Sequence, residues 1–252
     1  MPSDGSAGHG LRTGLNGIPM KRLILGAVAL AITSSPAMAR DRRDDGVSAH
    51  ANPSAVIAEE IAFARLAQEK GQWTAFRETA TKDAVMFTPQ MVYAQDHLKG
   101  RADPAQAVKW QPHQVWSSCD GSLAVTRGAW QSGDKSGWFT TVWQKQKNGK
   151  YKWVLDQGDE LPLPLEAPDM MVAKVAECPP GYTGRRAPKI QDFKGKLPPI
   201  DPARRSGQSL DGTLGWDVAV APDGARRFTV TMRADGQRVT VQDIQIEASA
   251  QK

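Results

Sequence analysis

Asp156 is the residue whose surroundings in the sequence most clearly indicate chemistry. It lies in the segment GWFTTVWQKQKNGKYKWVLDQGDE, residues 137–160, which is rich in aromatic residues on both sides of an Asn-Gly pair. Burial among aromatic rings raises the pKa of a carboxyl group, because the charged form loses its hydration. A cleft holding one such acid is a candidate binding or acid–base site. The structural alternative is that Asp156 bonds a backbone amide or Arg127 at the rim of a sheet.

The direction in which Asp156 points depends on the alignment of the hairpin around it. Asn148-Gly149 predicts a two-residue type I′ turn. Counting back from this turn makes Thr141 face Asp156. The other pairs predicted from the same turn are Lys147 with Lys150, Lys145 with Lys152, Trp143 with Val154, and Phe139 with Gly158.

The strand before this hairpin is predicted to complete a pocket wall. Its most favourable alignment places Gly128 beside Thr141 and Trp130 beside Phe139, so that Gly128 leaves space next to the acid. Both faces of the hairpin carry apolar bulk, which predicts that helices cover one face and that C-terminal strands or a second subunit cover the other. The predicted ligand-contacting residues are Gly128, Trp130, Phe139, Thr141 and Trp143.

The elements that would hold these residues begin with helices. Apolar residues recur at helical spacing from an N-cap at Ser54 to a terminating Gly71, with Glu60 assigned to the wetter faces. A second helix is predicted over residues 73–80. A third is predicted from Asp103-Pro104 through residue 110, because proline is well tolerated at the first helical position.

Strand-like runs then dominate the chain. Four such runs follow residue 114, and helices followed by an antiparallel meander predict an α+β fold with helices on one face of a curved sheet. Residues 54–164 form this predicted domain. Residues 165–210 are rich in proline and basic residues and are predicted to be a linker. Residues 211–252 alternate as a small C-terminal β-meander.

The N-terminal residues resemble an export signal. Met20 precedes two basic residues and the apolar run 23–32, and a small-x-small triplet ends at Ala39. This pattern predicts a true start at Met20, cleavage after Ala39, and a periplasmic or secreted protein. The apolar run is too short to span a membrane, and no transmembrane segment is predicted in the mature chain. Residues 40–53 are polar and are predicted to be a disordered leader.

The chain has two cysteines, Cys119 and Cys178. In an oxidising compartment such a pair predicts a disulfide. Two unpaired buried thiols remain the alternative.

Charge and motifs limit the partners. Lys and Arg number 32 against 27 Asp and Glu, a net charge of +5, which is too small and too dispersed to indicate a nucleic-acid partner. No cysteine or histidine spacing predicts a metal site. No phosphate-binding loop, dinucleotide fingerprint or nucleophile elbow predicts a cofactor or a hydrolase.

Residues 54–164 resemble the NTF2-like superfamily, close to its SnoaL-like and DUF4440-type members. The resemblance rests on the segment AEEIAFARLAQEKGQWTAFRETATKDAVMF and on the later hairpin that ends in W-x-x-D. It implies a cone of curved antiparallel sheet wrapped around helices, with a pocket at its open end and frequent homodimerisation through the sheet. Family members include isomerases, dehydratases and non-catalytic binders, so the fold does not define a function.

The resemblance also implies which groups would be catalytic, since catalytic members commonly use Asp or His inside the cone. Asp156 is the predicted base, and Tyr93 or His97 the predicted donor. Three hypotheses follow: a binder of a small apolar or amphipathic molecule, a cofactor-free isomerase or dehydratase, or an interaction module with a filled pocket. The binder is ranked first, because no second unambiguous catalytic group is present.

Overall fold

The computed structural model describes residues 50–184 and 195–248, which belong to one compact unit. The predicted signal region and residues 40–49 of the predicted leader lie outside the described residues. The helices are α1 (Pro53–Lys70), α2 (Gln72–Thr79) and α3 (Ala94–His97). The strands are β1 (Ala80–Phe87), β2 (Met91–Tyr93), β3 (Lys109–Ser117), β4 (Leu123–Ser132), β5 (Lys135–Lys145), β6 (Tyr151–Leu161), β7 (Val172–Val175), β8 (Arg204–Gln208), β9 (Leu214–Val220), β10 (Arg226–Ala234) and β11 (Gln237–Ile246).

Helix α1 begins slightly earlier than predicted. Asn52, not Ser54, caps it: the Asn52 side chain accepts a hydrogen bond from the backbone N–H of Ala55, and Pro53 occupies the first turn. Gly71 ends the helix with φ 103°, a conformation that favours glycine. The buried residues of α1 form one stripe at helical spacing: Val56, Glu60, Phe63 and Ala67.

The predicted helix over residues 104–110 does not form, and strand β3 begins at Lys109. The Asp-Pro pair that indicated a helix start has another role. Asp103 accepts hydrogen bonds from the backbone N–H and the hydroxyl of Thr74, at 3.0 and 2.7 Å. The carboxylate therefore anchors this loop to α2 instead of capping a helix of its own.

The larger sheet has seven strands in the order β2-β1-β6-β5-β4-β3-β7. With the helices packed on it, it forms an α+β fold, as predicted. The sheet is mixed and not purely antiparallel, because β1 pairs with β6 and β3 pairs with β7 in parallel. Each parallel pair joins two strands that are far apart in the chain.

The turn between β5 and β6 differs from the predicted type I′ turn. Gly149 has φ 82°, but Asn148 has no positive φ, and type I′ requires positive φ at both central residues. The backbone N–H of Gln146 donates to the carbonyl of Lys150, which leaves a three-residue loop.

This longer loop shifts the strand alignment near the turn by one residue. Trp143 faces Trp153 and not Val154 as predicted. Val154 is the additional residue of a β-bulge, and the bulge cancels the shift. Thr141 therefore faces Asp156, as predicted.

The predicted Lys145–Lys152 pair is also wrong, because the shifted alignment makes Lys145 face Tyr151. The ammonium group of Lys152 instead donates to the carbonyls of Glu78 and Ala80. The expected repulsion between the two lysines is thereby avoided.

The alignment of β4 with β5 lies two residues away from the predicted one. A two-residue turn joins these strands, where the prediction had a longer loop. Gly128 therefore faces Phe139, and Thr126 faces Thr141. Because a shift of two preserves the face of every side chain, Trp130 stays on the predicted side of the sheet.

The smaller sheet has the order β11-β10-β9-β8 and packs on the face of the larger sheet opposite the helices. Strands β7 and β8 lie within residues 165–210, the segment predicted as a linker. Both are short, and their proline-rich surroundings hide them in the sequence. The face that the resemblance implied for homodimerisation is thus covered by this chain's own strands. The shared core includes Val125, Trp138, Val142, Leu155, Leu214, Val218, Phe228 and Val230.

Cys119 and Cys178 form a disulfide, with Cα atoms 5.1 Å apart and a separation of 59 positions in sequence. The bond ties the β3–β4 turn to the chain that leaves β7. Within the described ranges, no helix is long and apolar enough to cross a membrane.

Candidate functional site

A cavity of about 420 Å³ lies between the helices and the inner face of the larger sheet. Five aromatic rings contribute to its wall, and polar residues of β6 lie along one side. The shape and lining resemble those of small-molecule sites, which combine apolar walls with few polar groups. The lining residues are Phe63, Gln72, Phe76, Val108, Trp110, Trp130, Phe139, Asp156, Gln157, Gly158, Asp159 and Glu160.

Asp156 lines this cavity and is partly exposed to it. Its Oδ2 accepts a hydrogen bond from the hydroxyl of Thr141 at 2.6 Å. Burial raises the pKa of Asp156 to about 7; the bond from Thr141 opposes the rise, and the charge of Glu60 adds to it. The group is therefore close to half ionised at neutral pH. It bonds neither Arg127 nor a backbone amide, the structural alternative weighed from the sequence.

Glu60 is a second acid that the sequence reasoning missed. It is fully buried, whereas the sequence placed it on a wetter face of α1. Its carboxyl group accepts hydrogen bonds from the indole N–H of Trp110 (2.8 Å), the hydroxyl of Thr126 (2.6 Å) and the indole N–H of Trp143 (3.0 Å). Burial raises the pKa of Glu60, and these three donors oppose the rise.

The spacing of α1 contained a signal for this position. Val56, Glu60, Phe63 and Ala67 follow the i, i+4, i+7, i+11 pattern of one helix face. An acid within an otherwise apolar stripe indicates a buried carboxyl with dedicated donors. The donors come from strands β3, β4 and β5, which the helical pattern alone does not reveal.

The residues predicted to contact a ligand fall into three groups. Trp130 and Phe139 line the cavity. Thr141 and Trp143 act indirectly, because Thr141 donates to Asp156 and Trp143 is buried against Glu60. Gly128 leaves no space for a ligand.

The crowding at Gly128 comes from the neighbouring strand. A Cβ atom at Gly128 would lie 2.0 Å from the carbonyl oxygen of Gln111. The glycine therefore allows close approach of β3 to β4, a structural role.

Tyr93 does not reach the cavity. Its hydroxyl donates to the carbonyl of Pro198 at 3.2 Å, and the guanidinium of Arg205 lies 5.7 Å from its ring centroid. Tyr93 thus packs toward the C-terminal sheet, on the opposite side from Asp156.

His97 also lies away from the cavity. It ends the short helix α3, and its Nε2 is 2.6 Å from Nη1 of Arg101. Because arginine can only donate, this histidine nitrogen is the acceptor. The structure therefore does not bring either predicted donor to Asp156.

Among residues 50–184 and 195–248, no group of three His, Cys, Asp or Glu side chains is arranged to hold a metal ion.

The fold and the site define an α+β protein with an acid in an aromatic cavity. A ketosteroid isomerase-like protein from Parabacteroides distasonis is similar in structure, with 16% identity, a TM-score of 0.36, and coverage of 46% of this chain and 97% of its own. An NTF2-like protein of unknown function from Burkholderia xenovorans has 17% identity, a TM-score of 0.30, and coverage of 46% of this chain and 91% of its own. No protein-family model matches the sequence, and no curated protein is similar to it.

Proposed function

We propose that this protein binds a small molecule that has an apolar body and one hydrogen-bond-donating or positively charged group. The observation that carries the proposal is the partial exposure of Asp156 within a cavity walled by five aromatic rings. The rings would contact the apolar body, and the carboxylate would accept from the polar group. An open cavity also favours binding over the hypothesis of a pocket filled by its own side chains.

The charges of the lining favour a cationic group. Three lining residues are acidic and none is basic. Glu160 is paired with Lys135 at 2.8 Å, and Asp159 is exposed, so Asp156 is the acid that faces the interior. An ammonium group would gain both from this carboxylate and from the faces of the rings, the latter contributing about 0.5–2 kcal/mol.

Matched probes test this proposal by calorimetry. We expect 2-naphthylmethylamine to bind more tightly than 2-naphthylmethanol, and 2-naphthoate to bind least. The affinity for the amine should increase as the pH rises through about 7, because the ionised Asp156 is the better partner. Asp156→Asn should weaken amine binding at least about tenfold, equal to about 1.4 kcal/mol.

Asp243→Asn is the matched control, because Asp243 is paired with Arg227 on the C-terminal sheet. It should leave the affinity unchanged. Equal affinity of the amine for the wild type and Asp156→Asn would contradict the role of Asp156. Failure of every naphthyl probe to bind, together with no co-purifying ligand in native mass spectrometry, would contradict the binding function.

A second candidate function is a cofactor-free acid–base enzyme in which Asp156 is the base. The pKa of about 7 supports it, because a general base is most effective when its pKa is near the working pH. Asp156→Asn should then abolish turnover of an identified substrate while the fold is retained. Unchanged turnover in that variant would remove Asp156 from the mechanism.

We also propose that the protein acts outside the cytoplasm, in the periplasm or after secretion. The pattern in residues 20–39 supports this, and the Cys119–Cys178 bond agrees with an oxidising compartment. Cell fractionation of the full-length chain should recover a processed protein that begins at Arg40. Recovery of unprocessed protein in the cytoplasm would contradict the proposal.

A further inference from the structure

Two turns in different sheets share one sequence pattern. Residues 118–123, SCDGSL, join β3 to β4, and residues 209–214, SLDGTL, join β8 to β9. In each, the aspartate accepts from the hydroxyl of the first serine and from the backbone N–H two residues ahead. In each, the leucine N–H donates to the same serine hydroxyl, at 3.1 and 3.0 Å. The two turns therefore have the same internal hydrogen bonds.

The two turns also contact each other reciprocally. The backbone N–H of Asp120 donates to Oδ2 of Asp211 at 2.9 Å, and that of Asp211 donates to Oδ2 of Asp120 at 3.1 Å. A second reciprocal pair joins the N–H of Cys119 to the hydroxyl of Thr213 and the N–H of Leu210 to the hydroxyl of Ser122, both at 2.9 Å. Contacts in which each side offers the other the same groups are the mark of a two-fold interface.

The correspondence continues along the strands. Strands β3, β4, β5 and β6 are consecutive neighbours, and so are β8, β9, β10 and β11. The last hairpin of each set has one β-bulge. The pairing register of β5 with β6 shifts between Val142 and Trp143, and that of β10 with β11 shifts between Val230 and Thr231.

The bulges lie at matching places in the two sets. Leu123, at the start of β4, faces Gln144, which is two residues after Val142. Leu214, at the start of β9, faces Met232, which is two residues after Val230. Strand order, the first turn and the position of the bulge thus agree between the two sets, whereas their second and third turns differ in length.

We propose that β8–β11 is an internal second copy of the β3–β6 meander and serves as its partner within one chain. The two copies pack through their apolar faces about a local two-fold axis that passes between the Asp120 and Asp211 turns. The C-terminal copy thereby occupies the surface on which a second chain would otherwise place its own β3–β6 meander. The full chain accordingly does not dimerise through this face.

Weakening the packing of β8–β11 on β3–β6 should allow a second chain to bind in its place. In the full chain, Asp211→Ala with Thr213→Ala removes the acceptors that the C-terminal turn offers to Asp120 and Cys119, and leaves β3–β6 unchanged. Val218→Asp with Val230→Asp is a stronger variant that places charge on the buried face of the C-terminal sheet. Light scattering after size exclusion, over a range of concentrations, measures the molar mass.

We expect the wild type to be monomeric and both variants to double in molar mass as concentration rises. Asp223→Ala is the control, since the Asp223 carboxylate accepts from the N–H of Ala225 in another turn of the same sheet, outside the paired turns 118–123 and 209–214, and it should stay monomeric. The proposal would be overturned if the variants remained monomeric at every concentration or formed only higher aggregates. It would also be overturned if the wild type were itself dimeric and the variants matched it. If the stronger variant does not fold, the Asp211→Ala and Thr213→Ala variant decides alone.

Discussion

At the scale of single residues, the space between the helices and the larger sheet contains two acids under different constraints. Glu60 has three dedicated donors and is fully buried, whereas Asp156 has one and is partly exposed to the cavity. Glu60 therefore organises the three elements that supply its donors. Asp156 keeps acceptor capacity for a ligand.

The raised pKa of Asp156 predicts how stability depends on pH. The group has a pKa of about 7 in the folded protein against 3.8 as its ordinary value, so the folded state binds more protons between these pH values. Its contribution is therefore favourable below about pH 4 and is lost as the pH rises through 7. The variant Asp156→Asn lacks this pH dependence. Its free energy of unfolding minus that of the wild type should therefore increase by roughly 2–4 kcal/mol from pH 4 to pH 8. Urea unfolding at both pH values measures this difference, and an equal effect at both would contradict the shift.

The donors around Glu60 predict the effect of an amide at that position. Glu60→Gln replaces one acceptor oxygen with an NH₂ group, which would face an indole N–H or the Thr126 hydroxyl. An unpaired buried donor costs about 1–3 kcal/mol. We expect Glu60→Gln to lower the free energy of unfolding by that amount, and Glu69→Gln, on the exposed side of the same helix, to have almost no effect. Equal values for the two variants would show that the donors do not stabilise the fold.

At the scale of elements, the alignment of strands determines which side chains meet. Around the β5–β6 turn, the predicted turn type was wrong and the bulge at Val154 was not predicted; each error shifts the alignment by one residue, and the two shifts cancel. Asp156 was therefore placed correctly beside Thr141. The bulge could not be predicted, because Val154 fits a regular strand as well as a bulge.

Other parts of the site were outside the reach of local patterns. The spacing of α1 indicated that Glu60 is buried, but its donors lie on three distant strands and could not be predicted from the helix. The predicted roles of Tyr93 and His97 came from the resemblance, and their actual neighbours come from other parts of the chain. Aromatic content and turn signals predicted the α+β class and two of the ring residues, Trp130 and Phe139. Contacts across the fold decided the rest.

Two strand glycines test the packing of elements directly. Gly128→Ala would place a Cβ atom 2.0 Å from a backbone oxygen of β3, whereas the nearest atom to a Cβ at Gly215 is 3.4 Å away. We expect Gly128→Ala to destabilise the protein by about 2–3 kcal/mol and Gly215→Ala by less than about 1 kcal/mol. Thermal unfolding compares the two variants. A tolerated alanine at residue 128 would contradict the alignment of β3 with β4.

At the scale of the whole molecule, two sheets share one core and a disulfide fixes the chain that runs between them. The bond closes a loop of 59 residues. In the chain-entropy model a loop of this length contributes about 4 kcal/mol by restricting the unfolded state. The larger sheet thus has helices and a cavity on one face and the smaller sheet on the other.

Removal of the disulfide should accordingly lower stability without opening the cavity. We expect Cys119→Ser with Cys178→Ser to reduce the free energy of unfolding by roughly 2–4 kcal/mol, since measured losses often fall below the model value. Chemical denaturation under oxidising conditions measures this change. Affinity for the amine probe should stay within about twofold of wild type in folded protein, and a tenfold loss would contradict the independence of the cavity from the disulfide.

The account depends most on a single carboxyl group that lines an apolar cavity. A pH titration of ¹³C-labelled aspartate carboxyl signals by NMR, with the signal of Asp156 assigned by its loss in Asp156→Asn, observes that group directly. We predict a midpoint near pH 7, moving lower when the amine probe is bound. A midpoint near pH 4 that the probe does not change would place Asp156 in water and contradict the proposed site.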